Sequence, residues 1–169
     1  MRKIIIFTIL LVLLPFGVVY ADSNTANSRA ALFDNNRYVV AGIKDALAFD
    51  IAFYALKDAI AANNRDKVAE YILYPLRVNY WVGADKKRTT KMIYTKEELL
   101  ANYNRIFTKR VKGEIAKQKL EGLFVNADGV MVGSGIAWLN QTINKPLRYG
   151  IITINLGSPS SFAKPKIVR

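Results

Sequence analysis

The chain opens with two positive residues, then sixteen residues without a charge, then a small residue where a peptidase could cut. This opening sets how much of the chain is available to fold. Arg2 and Lys3 follow Met1, Ile4 to Val19 form the apolar run, and Val19-Tyr20-Ala21 offers a cut between Ala21 and Asp22. These are the three parts of a secretory signal peptide. The run is short for about 30 Å of hydrocarbon, and Pro15 interrupts it, so a retained anchor helix is the poorer reading. The expectation is export, to a periplasm or the medium, with residues 1–21 removed. The fold is then sought in the remaining 148 of 169 residues, none of whose later stretches reads as a membrane helix.

A domain of that length can bury a core without staples, and this one has to, because it contains no cysteine. It contains no histidine either. Together these absences exclude disulfides, thiolate nucleophiles, a lipid-modified cysteine, histidine general bases, Ser-His-Asp catalysis and Cys- or His-based metal sites. No cofactor and no metal are expected. Arg2 and Lys3 leave with the signal and take no acid with them, so the formal charge of +12 falls to +10.

Residues 22–42 are read as a poorly ordered lead-in, 43–156 as one α+β domain, and 157–169, with Gly157, Pro159 and Pro165, as a loose basic tail. Ile43 to Ala62 is a helix with Phe49, Phe53, Leu56 and Ile60 on one stripe and Leu47, Ile51 and Tyr54 on a second. Asn64 can cap a second helix, which should end near Tyr74 because Pro75 disfavours helical geometry before it. Leu76 to Val82 alternates: Leu76, Val78, Tyr80 and Val82 share one face of a strand, and Arg77, Asn79 and Trp81 the other. Asp85 to Arg88 suggests a turn, and Lys91 to Tyr94 a short partner strand. Thr95-Lys96-Glu97-Glu98 is a capping box for a helix whose basic residues, Arg105 to Lys112, gather at its C-terminal end. Leu120 to Leu139 reads as a hairpin turning at Asn126-Ala127-Asp128-Gly129. Gly133, Gly135 and Ala137 permit a sharp bend or the close approach of a helix. Asn144-Lys145-Pro146 is a further turn, and Tyr149 to Leu156 the last strand. The expected order is helix, helix, strand, strand, helix, then a three-stranded antiparallel meander, with the helices on one face of a curved, mainly antiparallel sheet.

This order, with the run Tyr74-Pro75-Leu76-Arg77-Val78, the helix opened by Thr95 and the run Leu123 to Gly133, resembles the nuclear-transport-factor-2-like superfamily, which includes SnoaL-like and ketosteroid-isomerase-like proteins. The resemblance covers about residues 43–156. It implies a cone of helices and sheet around a pocket, which some members use for catalysis and many for binding alone. Where isomerase-like members carry an acidic base near the start of the first strand, this chain has Arg77, Asn79 and Trp81. That departure argues against isomerase chemistry, and a shared fold does not settle function.

Asp50, inside the apolar stretch Ala46 to Ala55, is the candidate catalytic acid or base, with Tyr54 one turn on. Catalysis requires it to face a cavity with the Tyr54 hydroxyl nearby; the plainer alternative is a helix-edge carboxylate that is wet or paired with Lys57. Tyr54, Tyr74, Tyr80, Trp81, Tyr103 and Trp138 are candidates for an aromatic ligand pocket, or else core. Residues 86–88 and 105–112, Lys145, Arg148 and the tail are candidates for a patch that meets an anionic envelope surface or an acidic protein. An exported protein seldom meets nucleic acid. Asn140-Gln141-Thr142 matches the short glycosylation acceptor pattern. The expectation is a non-enzymatic binding domain for a small apolar ligand or a protein partner, an immunity-type protein being one variety. The alternatives are an isomerase- or hydrolase-type enzyme using Asp50 and Tyr54, and a protein that binds envelope surfaces by charge.

Overall fold

In the computed structural model, residues 36–82 and 87–157 are described. Residues 1–35, among them the expected signal peptide, residues 83–86 and the tail from 158 lie outside them. Four α-helices and six strands alternate in an α+β order. They are α1 (Ala46–Ala61), α2 (Arg65–Glu70), β1 (Ile72–Val82), β2 (Lys87–Ile93), α3 (Lys96–Ile106), α4 (Lys109–Lys117), β3 (Phe124–Asn126), β4 (Gly129–Val132), β5 (Ala137–Gln141) and β6 (Tyr149–Asn155). Among the described residues, no helix is long and apolar enough to cross a membrane.

The strands form one mixed sheet in the order β2-β1-β6-β5-β4-β3. Every neighbouring pair is antiparallel except β1 with β6, which run parallel. That pair joins the N-terminal hairpin to the C-terminal meander, and Gly150 makes room for it. The Ile151 amide donates to the Tyr71 carbonyl at 2.8 Å, and a Cβ at position 150 would collide with that same oxygen.

Local rules account for most element starts. Asp45, Asn64, Thr95 and Thr108 each accept, through the side chain, from a backbone N–H three residues on, satisfying donors that a helix start leaves orphaned. Of the two expected N-terminal helices, the first starts at Ala46, where Asp45 caps it, rather than at Ile43, and ends at Ala61. The second stops at Glu70 rather than near Tyr74, because β1 begins at Ile72 and runs through Pro75. Pro75 has no N–H for a ladder, and it sits in the irregular stretch of the β1–β6 register between Ile72 and Arg77. The Glu98 carboxylate reaches back to the Tyr94 amide at 3.0 Å rather than to that of Thr95.

The structure corrects four further expectations. Residues 36–42 are not part of a loose lead-in: Val39–Ala41 is a 3-10 turn, Tyr38 is fully buried, and its ring lies 4.5 Å from that of Phe49. β2 starts at Lys87, so Lys87 and Arg88 belong to a strand rather than a turn. The helix opened by Thr95 ends at Ile106, and Thr108 caps a new one, which puts Lys109, Arg110 and Lys112 in the first turn of α4 rather than at a C-terminus. The C-terminal meander has four strands, because the chain turns at Gly133, Ser134 and Gly135, all at positive φ. Gly133 serves both roles its sequence suggested. It takes φ +55°, and a Cβ there would strike the Glu114 Cβ on α4.

Alternation along the strands divides the sheet into two faces. Leu76, Val78, Ile93, Val130, Val132, Leu139, Ile151 and Ile154 are buried in one cluster with Phe49, Phe53 and Leu56 of α1, Leu99 and Tyr103 of α3, and Val111 and Ile115 of α4. The residues between them on β1 and its neighbours point the other way.

Candidate functional site

That other face carries a short polar ladder at its centre. Register places Asn79 of β1 opposite Thr90 of β2 on one side and Asn155 of β6 on the other. One row along, Arg77 lies beside Thr153, and Thr153 beside Trp138 of β5. Asn79 is 7% exposed, the single buried polar residue among those described, and a buried amide must be satisfied. A chain of hydrogen bonds does this. The Gly135 carbonyl can only accept, so the Asn155 amide nitrogen faces it at 2.5 Å. The Asn155 oxygen is thereby turned to Asn79, whose nitrogen donates at 2.8 Å. The Asn79 oxygen then faces Thr90, whose hydroxyl donates at 2.7 Å. One backbone carbonyl sets the polarity of the whole series. Each amide nitrogen has two N–H groups and uses one, leaving donors to spare.

Above this floor lies a cleft of about 370 Å³, walled by Arg77, Arg88, Trp138 and Asp128 and floored by Asn79, Thr153 and Asn155. Arg77 and Arg88 are exposed and have no ion-pair partner among the described residues. Asp128 belongs to the β3–β4 turn, where the Asn126 side-chain amide donates to it at 3.2 Å. Trp81, 36% exposed, lies opposite Arg88 on the same face. Ile152 separates the cleft from a second, apolar groove of about 470 Å³, in which Leu73, Tyr74, Pro75, Ile143 and Pro146 predominate. Ile143 is 95% exposed. The Tyr74 hydroxyl is buried without a partner, and its pKa is pushed up to about 12, first by burial and then by the charge of Glu97, against Arg148.

The six candidate aromatics do not converge. Tyr74 lines the apolar groove and Trp138 the polar cleft. Tyr103 is fully buried and stacks on Phe107 at 4.8 Å, with Arg65 and Lys112 over its ring. Tyr80 packs against the core from the covered face, Trp81 stands on the open face, and Tyr54, 49% exposed, stands on the outside of α1. The Leu47, Ile51 and Tyr54 stripe is exposed rather than sandwiched.

Asp50 is paired, but not with Lys57. Arg37 donates to both carboxylate oxygens at 3.0 Å, and the Tyr38 hydroxyl donates to Oδ1 at 2.5 Å. Lys57 instead donates to the Gln118 carbonyl at 2.7 Å. Asp50 lines none of the cavities described above. Its carboxylate fastens the 3-10 turn to α1, and burial and the Asp50 bond both raise the Tyr38 pKa. Of the basic residues picked out by sequence, Arg110, Lys112 and Arg148 donate to Asn155, Asn63 and Glu70 respectively. Among the described residues, no group of three acids is placed to hold a metal ion.

Alternation in β1 had put Arg77, Asn79 and Trp81 together. Arg88 was named only as part of the basic run 86–88, and the longer β2 brings it beside Trp81. The residues missed were Thr153 and Asn155, which reach the β1 row only through the parallel β1–β6 pairing, and Asp128 of the β3–β4 turn. No family model, no curated protein and no solved structure matches the chain.

Proposed function

We propose that this is an exported, non-enzymatic binding protein whose open sheet face docks an acidic protein partner. The observation that carries this is the adjoining pair of sites on that face, an apolar groove and an arginine-lined cleft on either side of Ile152. A small apolar ligand would suit the groove but leave the cleft's charges unmet, whereas a protein surface can offer both characters side by side. The formal charge, +12 for the full chain and +10 without residues 1–21, favours an acidic partner and speeds its approach. The state of Asp50 supports binding over catalysis. A carboxylate that holds Arg37 and Tyr38 is occupied, and removing it from them to take a substrate proton would undo the turn they fasten. The element order, a helix pair, a hairpin, further helices and a meander, supports a nuclear-transport-factor-2-like domain, with helices over one face in the manner of a cone. In such a domain the present proposal puts binding on the sheet's uncovered side.

The test is capture from envelope extract by the mature protein, with mass spectrometric identification, repeated with Arg77→Gln/Arg88→Gln and with Ile51→Ser on the exposed stripe of α1. An acidic protein retained by wild type and Ile51→Ser but lost by the arginine variant supports the reading. A partner whose retention ignores the arginines overturns it. So does turnover of any co-purifying small molecule that collapses in Asp50→Asn, by roughly 10²–10⁴-fold if Asp50 were a general base.

A further inference from the structure

The cleft has a more specific character than its charge. We infer that it is a seat for a carboxylate side chain, Glu or Asp, of an extended partner segment whose neighbouring apolar residue fills the groove beyond Ile152. The inference rests on the docking face proposed above and adds what that face recognises.

Three features of the site point to a carboxylate. The first is donor excess. The polarity imposed by the Gly135 carbonyl leaves the second N–H of both Asn79 and Asn155 unspent at the cleft floor. The Thr153 hydroxyl stands between Arg77 and Trp138 in the ladder. Each floor oxygen also accepts only once, so the surplus of donors comes from the two guanidinium groups above, which have no ion-pair partner among the described residues. A cleft with that surplus selects an acceptor-rich group. The second feature is the pair of guanidinium walls, Arg77 and Arg88, planar donors whose forked geometry matches a carboxylate. Asp128 offsets one of these charges and favours a singly charged guest over a doubly charged one such as a phosphate monoester. The third is Trp138, whose ring walls the cleft and screens a bound ion pair from water, strengthening it.

Size and placement fit as well. About 370 Å³ accommodates one side chain rather than a folded element. The groove begins at Ile152, which walls both cavities, so an extended segment can place successive residues in the two. Fixed floor donors make the seat preorganised, since the amides need not turn to receive the guest.

The probe is an acetylated, amidated peptide with two leucines followed by two glutamates, titrated at millimolar concentration into the ¹⁵N-labelled mature protein, beside a peptide with glutamines in place of the glutamates. The expected result is saturable shifts at the Asn79 and Asn155 side-chain amides and the Trp138 indole N–H. Affinity should be about tenfold lower for the glutamine peptide, and likewise for the glutamate peptide on Arg77→Gln/Arg88→Gln, the loss expected when a charge-assisted pair is removed. The difference should shrink as salt rises. Equal affinity for the two peptides, no binding, or shifts confined to other residues overturns the carboxylate seat. Those results leave the capture experiment free to succeed, whereas arginine-independent capture of a partner defeats the docking face itself.

Discussion

The two faces of the sheet are built from the same strands and differ in nearly everything else. On the covered face Leu76, Val78 and Ile154 are fully buried, in one cluster with residues of α1, α3 and α4. On the open face their immediate neighbours Asn79 and Asn155 belong to a hydrogen-bonded floor, with the exposed Arg77 and Arg88 above it. The covered face is held by area removed from water, about 25 cal/mol per Å² of apolar surface, and tolerates little change of shape. The open face is held by one polar chain and leaves Arg77 and Arg88 without an ion-pair partner among the described residues. On the proposed reading, stability and recognition are separated by a single residue step along β1.

Substitutions one step apart should separate the two faces by magnitude. Leu76→Ala on the covered face should cost about 2–5 kcal/mol, the cost of a cavity in a close-packed core, read from the shift of a urea midpoint. A loss below about 1 kcal/mol would mean that the core relaxes around the site. Asn79→Ala, three residues on and facing the other way, should cost about 1–3 kcal/mol, because the Thr90 hydroxyl and the Asn155 amide oxygen lose their partner. Asn79→Asp, which cannot donate, should not restore it. Away from the sheet, Thr95→Ala removes the α3 cap and should cost about 0.5–2 kcal/mol.

The next effect emerges only in alkali. Burial favours the neutral Tyr74 hydroxyl, so the folded protein keeps its proton up to about pH 12, while the unfolded chain releases it near 10. The resulting stabilisation is complete below pH 10 and lost as pH rises to about 12. Burial likewise raises Tyr38 and Tyr103. Tyr74→Phe has no proton to lose, so its stability should fall less steeply over that window than the parent's. An identical slope would show that Tyr74 is not buried as described.

Much of the covered face was legible in the sequence, because it is written in local periods. The stripe Phe49, Phe53, Leu56 and Ile60 and the alternation from Leu76 to Val82 each give a face without reference to the rest of the chain, and Asn64 and Thr95 announce helix starts within four residues. The open face was legible only in its β1 row. Thr153 and Asn155 stand more than seventy residues from Arg77 and Asn79, and nothing local specifies that β6 lies parallel to β1. The break at Thr108 was missed, and the turn at Gly133 to Gly135 was left open between a bend and a helix contact, for a different reason. A capping threonine inside a basic run and three small residues inside an apolar one each fit two structures, and packing decides between them: α4 against Gly133, and the positive φ of Ser134. Asp50 was misassigned a partner because Arg37 precedes the helix, beyond the reach of the i, i+4 and i, i+7 spacing that suggested Tyr54 and Lys57.

The central claim is that the fold is held by one face of the sheet and partner binding by the other. The most direct test measures both on the same variant, Arg77→Gln/Arg88→Gln, by titrating the captured acidic partner into it after its urea midpoint has been recorded. The account predicts a midpoint within about 0.5 kcal/mol of the parent, as for surface changes, together with an affinity at least about tenfold lower. An unchanged affinity at unchanged stability would contradict it.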